Sequence, residues 1–145
     1  MQPARLSILG TVFVLTLLSA CEGDARPPLI AADIVINESP SGQAMSAGYL
    51  TLTNTTKDDL SISRVSSPEF ESVEIHESLL QDGVAKMRRV EKLLIPANST
   101  VSLKPGEKHL MLMRRIGAAE NISLNLYDDE TLLLSVQASP ARSNP

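Results

Sequence analysis

Two histidines, His76 and His109, and five methionines are the borderline and soft metal donors of this 145-residue chain. One histidine and two of the methionines share the stretch HLMLM, residues 109–113. In an extended strand, side chains at i and i+2 share a face. His109, Met111 and Met113 therefore point one way, and Leu110 and Leu112 point the other, toward a core. His109 and Met111 are left as a pair within reach of one ion. His76 lies in VEIHESL and Met87 in VAKMRRV, with Gln81-Asp82-Gly83 between them reading as a hairpin connection. A fold at Gly83 brings His76 and Met87 roughly opposite each other.

The donor types point to one kind of ion. Thioether sulfur is soft and neutral and imidazole is borderline, a combination that suits monovalent copper. Zinc favours thiolate, imidazole or carboxylate, and calcium or magnesium wants clustered oxygens. Without an anionic ligand, Cu(I) is better served than Cu(II). Methionine also remains a usable ligand outside the cytosol, where thiols oxidise to disulfides. A plainer reading of the same residues stands beside this one. Methionine on an apolar strand is commonly core filler, which applies to Met111 and Met113, and a histidine in a β protein is commonly hydrogen-bonded structure. Spacing alone leaves both open. Met45, ahead of a strand, either caps the site from a loop or lies free on the surface.

The elements that would position these residues are short. Residues 1–20 read as an export signal, with Arg5 followed by an apolar run from Leu6 to Leu18. Leu18-Ser19-Ala20-Cys21 resembles the bacterial lipobox, which implies cleavage before Cys21 and lipid on that residue. The expectation is a periplasmic protein held at the bilayer by lipidated Cys21, with residues 21–31 as anchor and tether. Residues 32–138 form the domain, and 139–145 a frayed tail. Runs of β-branched and aliphatic residues, as in SAGYLTLTN, LSISRV, NISLNLYDDE and TLLLSVQA, alternate with turn signals such as Pro105-Gly106. No segment after the signal keeps a helical apolar period. The pattern predicts an all-β fold, an antiparallel β-sandwich. The triplets at Asn54, Asn98 and Asn121 read as turn-forming polar residues rather than glycan acceptors.

Composition excludes several functions. With Arg5 removed, twelve Lys and Arg face seventeen Asp and Glu, interspersed, which does not suit nucleic acid. The aromatics of the mature chain are Tyr49, Phe70 and Tyr127, too few for a stacking platform. With Cys21 the sole cysteine, no internal disulfide can form. Electron-transfer copper sites need a cysteine thiolate beside two histidines, so that role is rejected. A hydrolytic triad would have to use one of the two histidines, and no nucleophile-elbow context surrounds any serine. The chain is expected not to be an enzyme.

The spacing His76-x10-Met87-x21-His109-x-Met111, within AGYLTLTN, SSPEFESVEIHES, KMRRVEKLLIPA and the LKPG turn, resembles the signature of the periplasmic PCuAC copper-chaperone family. The similarity covers roughly residues 32–138. It implies a cupredoxin-like, Greek-key β-sandwich that binds one Cu(I) per monomer through His76, Met87, His109 and Met111. It further implies delivery to acceptors such as the copper-centre domain of cytochrome c oxidase or a thioredoxin-like copper protein. This chain departs from many relatives at Glu107, where they carry a second glycine, and at Glu77, where some carry methionine. It also shows no His/Met-rich C-terminal extension. Two further readings remain: a periplasmic copper buffer, and a structural lipoprotein without metal. Lys86, Arg88, Arg89 and Lys108 surround the expected site, as a solvated face or as a docking patch for an acidic acceptor.

Overall fold

The computed structural model describes residues 26–38, 44–117 and 120–141. The expected signal, Cys21 and residues 142–145 lie outside them. Alternating burial builds strands throughout. In β2 (Met45–Asn54), Leu50, Leu52 and Asn54 are buried while Tyr49, Thr51 and Thr53 are half-covered. In β10 (Ile122–Asp128), Ile122, Leu124 and Leu126 take the inner positions. The early strands are β1 (Leu29–Asn37), β3 (Leu60–Ile62), β4 (Arg64–Ser66), β5 (Phe70–Gln81) and β6 (Val84–Arg89). The later ones are β7 (Leu93–Ile95), β8 (Thr100–Leu103), β9 (Lys108–Arg115), β11 (Thr131–Ala138) and β12 (Pro140–Ala141). No helix occurs among the described residues.

One large sheet runs in the order β11-β10-β4-β5-β9-β2-β1-β12, with β6 added to β5 and β8 added to β2; β3 and β7 form a separate pair. Pairing is antiparallel except between β1 and β12. Only Ser139 separates β11, at one edge, from β12 at the other, so the sheet must curl until its ends approach. β1 and β11 do come into contact. The two layers so formed enclose an aliphatic core that includes Leu29, Ile36, Leu50, Leu52, Leu110, Leu112 and Leu126.

The all-β expectation holds, and its boundaries shift in four places. β1 begins at Leu29, inside the expected tether, because Leu29 is fully buried. Pro140 and Ala141, expected to fray, pair with Ile36 and Asn37. LSISRV splits into β3 and β4 at Ser63, whose N–H donates to the Tyr127 carbonyl. The run LLI becomes β7, too short to announce itself by periodicity.

Two polar side chains, one buried and one half-buried, tie these pieces together. Asn54 is 1 % exposed. Its Nδ2 donates toward the carbonyls of Asp58, Ile95 and Pro96 at 2.8, 3.0 and 3.2 Å, and its Oδ1 accepts from the Thr56 N–H and hydroxyl. Asn54 therefore closes the expected turn through Thr56 and is also a structural knot joining β2 to the end of β7. Glu69, between β4 and β5, accepts from the Ser67 hydroxyl at 2.8 Å and the Ser123 N–H at 3.0 Å. Burial pushes the Glu69 carboxyl up, but the hydrogen bonds from Ser123 and Ser67 outweigh it and hold the group below the usual carboxylate range.

Asn54→Leu keeps the branched shape with bulkier methyls but strands the three carbonyls, so it should lower unfolding free energy by at least about 1–3 kcal/mol in denaturant titration. A depressed folded-state pKa stabilises above the ordinary carboxylate range and loses that contribution as pH falls through it. The stability gap between wild type and Glu69→Gln, about 1 kcal/mol at neutral pH, should thus close on acidification. A gap that widens toward low pH would contradict this.

Candidate metal centre

The β5–β6 connection is the two-residue turn Asp82-Gly83, with φ of 52° and 75°. Both central residues have positive φ, as a type I′ hairpin requires. The turn sets the register His76↔Arg89, Ser78↔Met87 and Leu80↔Ala85. Met87 is thus offset by two residues from the position opposite His76, diagonal to it on the same face, where the sequence suggested a roughly opposite position. On its other side β5 pairs with β9 as His76↔His109, Glu74↔Met111 and Ser72↔Met113. β2 continues the rows beyond β9 with Ala47↔Met111 and Met45↔Met113.

Directly opposed residues share a face, so one surface of the sheet carries four rows. The first holds Ser78 and Met87. Arg89, His76 and His109 form the second, and the Tyr49 ring stands 6.5 Å from that of His109. Glu74, Met111 and Ala47 make the third, then Ser72, Met113 and Met45 the fourth. Leu110 and Leu112 are buried beneath, in the core. All four expected ligands therefore lie on one face, with the histidines side by side and a methionine displaced to either side. Met113, for which core packing was the plainer expectation, stands half-buried on this same outer face.

The rings are held in complementary states. His109 is 6 % exposed, and its Nδ1 lies 3.0 Å from the Glu107 carbonyl. That carbonyl can only accept, so Nδ1 carries the proton and Nε2 the lone pair. The same carbonyl also accepts from the Ser78 N–H at 3.1 Å. It sits at the tip of the Lys104–Glu107 turn, where Gly106 has φ of 80°. Because backbone does this work, the side chain at position 107 is immaterial to it. His76 is reversed: its Nε2 lies 2.9 Å from Glu74 Oε2, while its Nδ1 is buried without a hydrogen-bond partner. Glu74 is steadied by Arg89 at 3.2 Å. A carboxylate on one ring nitrogen and an open lone pair on the other is the usual arrangement around a metal-ligating histidine. The ring centroids are 6.3 Å apart, edge to face.

Among the described residues, no three His, Cys, Asp or Glu side chains converge to hold a metal. A cation held at this face by more than two side chains would have to draw on methionine sulfur, a donor that suits a soft ion. The surrounding charge is arranged to permit one. Glu77 accepts from Arg88 at 2.7 Å and pairs with Lys108 at 2.9 Å, and these two cations hold its carboxyl below the usual range. Glu77, Arg88 and Lys108 each neighbour a site residue in sequence and so point to the opposite face. Lys86, opposite Leu79, does the same. Of the four cations expected around the site, only Arg89 shares its face.

Residues 29–126 match the family described as "Putative lipoprotein LpqE-like". The chain belongs to the LpqE-like family. This LpqE-like chain is 32 % identical over 104 residues to protein RP573 of Rickettsia prowazekii, covering 69 % of the chain and 58 % of that relative. It is 30 % identical over 90 residues to the "Putative lipoprotein Lxx21020" of Leifsonia xyli, covering 59 % and 54 %. It thus spans little more than half the length of these curated relatives. Among solved structures it is similar to the copper-bound PCuAC domain from PmoF2, with a TM-score of 0.63 at 18 % identity, covering 83 % of the chain and 97 % of that domain. It is likewise similar to the Cu(I) form of DR1885 from Deinococcus radiodurans, with a TM-score of 0.59 at 24 % identity, covering 83 % and 82 %. The LpqE-like chain therefore has the cupredoxin-like β-sandwich of PCuAC domains, as the sequence resemblance implied.

The tautomers give a test that needs no metal. Long-range proton–nitrogen correlation spectra should show His109 protonated at Nδ1 and His76 at Nε2. Glu74→Ala should turn His76 into a tautomer mixture and leave His109 unchanged. The same tautomer in both wild-type rings would contradict the assignment.

Proposed function

We propose that this LpqE-like protein is an exported Cu(I) carrier. It takes one ion through His76 Nδ1, His109 Nε2 and the sulfurs of Met87 and Met111, and passes it to an acceptor without catalytic turnover. The observation that carries this reading is the buried, unpartnered His76 Nδ1 beside His109, on a face whose other candidate donors are thioethers. A buried polar atom without a partner costs free energy, and a soft cation is the partner that this donor set accommodates. The copper-bound PmoF2 domain and Cu(I)-DR1885 have the same fold and support the choice of ion.

Four neutral donors leave the ion's charge uncompensated, so an acceptor offering thiolate or additional imidazole can draw it away. Met87 is the donor such an acceptor meets first. It is 52 % exposed, and every residue of β6 is exposed. Acceptors of this kind include the copper-centre domain of cytochrome c oxidase or a thioredoxin-like copper protein. Lipidation of Cys21 would hold the carrier at the bilayer on the periplasmic side, and the lipoprotein description of the family supports that anchor.

The test is Cu(I) titration of the full-length chain, carrying Cys21→Ser to remove its thiol, against a chromophoric chelator under reductant. One-to-one binding is expected. Met87→Ala and Met111→Ala should weaken it by about 10–100-fold, at least the cost of losing an outer-shell partner, and Met113→Ala should barely change it. Failure of the parent chain to compete would sink the carrier reading and leave a structural lipoprotein. Binding without transfer to any thiolate acceptor would instead describe a copper buffer.

A further inference from the structure

Met45 and Met113 form a cross-strand pair that the four-donor site does not use. They are directly opposed in the β2–β9 register, which sets their Cβ atoms about 4.5–5.5 Å apart. Met45 is 49 % exposed and Met113 half-buried, so the pair stands at the surface of the sheet. Met113 is followed two residues back along the same face by Met111, and then by His109. The neighbour of Met111 on β2 is Ala47, a small side chain between the rows of Met111 and Met45. The remaining neighbour of the pair, Ser72 on β5, is small and uncharged. The nearest cation by sequence, Arg114, is committed to Glu71.

From this we infer that Met45 and Met113 make a second, weaker soft-metal station, through which Cu(I) reaches or leaves the four-donor site by way of Met111. The inference rests on the carrier reading for its direction of traffic, though the pair's affinity for a soft ion is its own property. Thioethers are poor ligands for hard ions and good ones for Cu(I) or Ag(I). Two of them cannot rival two imidazoles with two thioethers, so the pair fills only after the main site. Each methionine has three rotatable bonds, enough for a sulfur to follow an ion between adjacent rows. Donors thus run in file along β9: Met45 and Met113, then Met111, then the two histidines, with Met87 at the far end.

The test uses Ag(I), a redox-inert stand-in, with the full-length chain carrying Cys21→Ser in detergent micelles and ¹³C-labelled methionine methyls. Met→Leu replacements conserve volume and serve both to assign signals and to break the pair. The first equivalent should move Met87 and Met111, and further Ag(I) should move Met45 and Met113 together. In Met113→Leu the Met45 methyl should need about 10–100-fold more Ag(I), the loss expected at minimum when a ligand is removed. In Met45→Leu the Met113 methyl should behave alike. A Met45 response unchanged by Met113→Leu would mean independent surface thioethers and would overturn the station, as would stillness of both methyls in excess Ag(I). If Met45 and Met113 respond while Met87 and Met111 stay still, the four-donor reading fails and the station stands.

Discussion

The pairing of β5 with β9 in the register His76↔His109 is the constraint on which the rest depends. Side chains alternate with a period of two, so a slip of one residue in β9 would send His109 and Met111 into the core and bring Leu110 and Leu112 to the surface. The leucines prevent that slip. They are 1 % and 0 % exposed, and the hydrophobic free energy of keeping two leucines out of water, roughly 1.5–3 kcal/mol each, is far larger than any preference of the polar face. The face that carries both histidines is thus positioned by the core behind it. Opposite β9, Gly48 carries the other half of the constraint. A Cβ there would meet Leu110 Cβ and Leu112 Cδ1 at 3.1 Å, so its absence lets β2 approach closely and carry Met45 and Tyr49 onto the same face.

Much of this was legible in the sequence, and the parts that were not share a cause. HLMLM announces its own two faces, and Asp82-Gly83 its own turn, because both signals are local. Local signals could not reveal which residue of β5 stands across from His109, since that depends on where two strands distant in sequence meet. The Met87 register differs from the expected one by two residues for a related reason. Counting outward from Gly83 gives the correct partner only once the turn is known to hold two residues. Glu74 escaped notice because a glutamate two places from a histidine is ordinary, and only Nε2 at 2.9 Å from its carboxylate gives it a role. Asn54 does form the turn that Asn-Thr-Thr announces, but its burial at the join of β2 and β7 is a tertiary fact. The β7 strand and the β1–β12 closure were invisible to periodicity for the same reason: three residues and two residues are too short to show a period.

Charge is sorted by the same alternation that sorts apolar from polar. Three of the four basic residues near the site are immediate sequence neighbours of site residues or face away across the hairpin, so they belong to the reverse of the sheet. There Glu77 neutralises Arg88 and Lys108 together. A docking patch built from all four cations is not what the fold presents. The donor face retains Arg89 alone, and Arg89 is spent on Glu74, which in turn fixes His76. The cation thereby acts through a carboxylate to orient the His76 ring.

Binding and release make opposite demands, and the strand layout separates them. His76, His109 and Met111 lie where β5 and β9 are paired over a buried core, and the Glu107 carbonyl and Glu74 lock the two rings. Met87 lies on β6, which pairs with β5 alone beyond the last β5–β9 pair, Glu77↔Lys108. A two-stranded ribbon without a covered face is marginally stable in water, and few buried contacts mean a low cost of local opening. In the proposed carrier, three donors would therefore be pre-organised, which lowers the entropic cost of capture, while the fourth would ride on an element that opens readily. An acceptor displacing Met87 would then meet an ion held by three neutral donors, and need not break the fold to remove it. A copper carrier, unlike an electron-transfer site, gains from that asymmetry, because its task is complete only when the ion has gone.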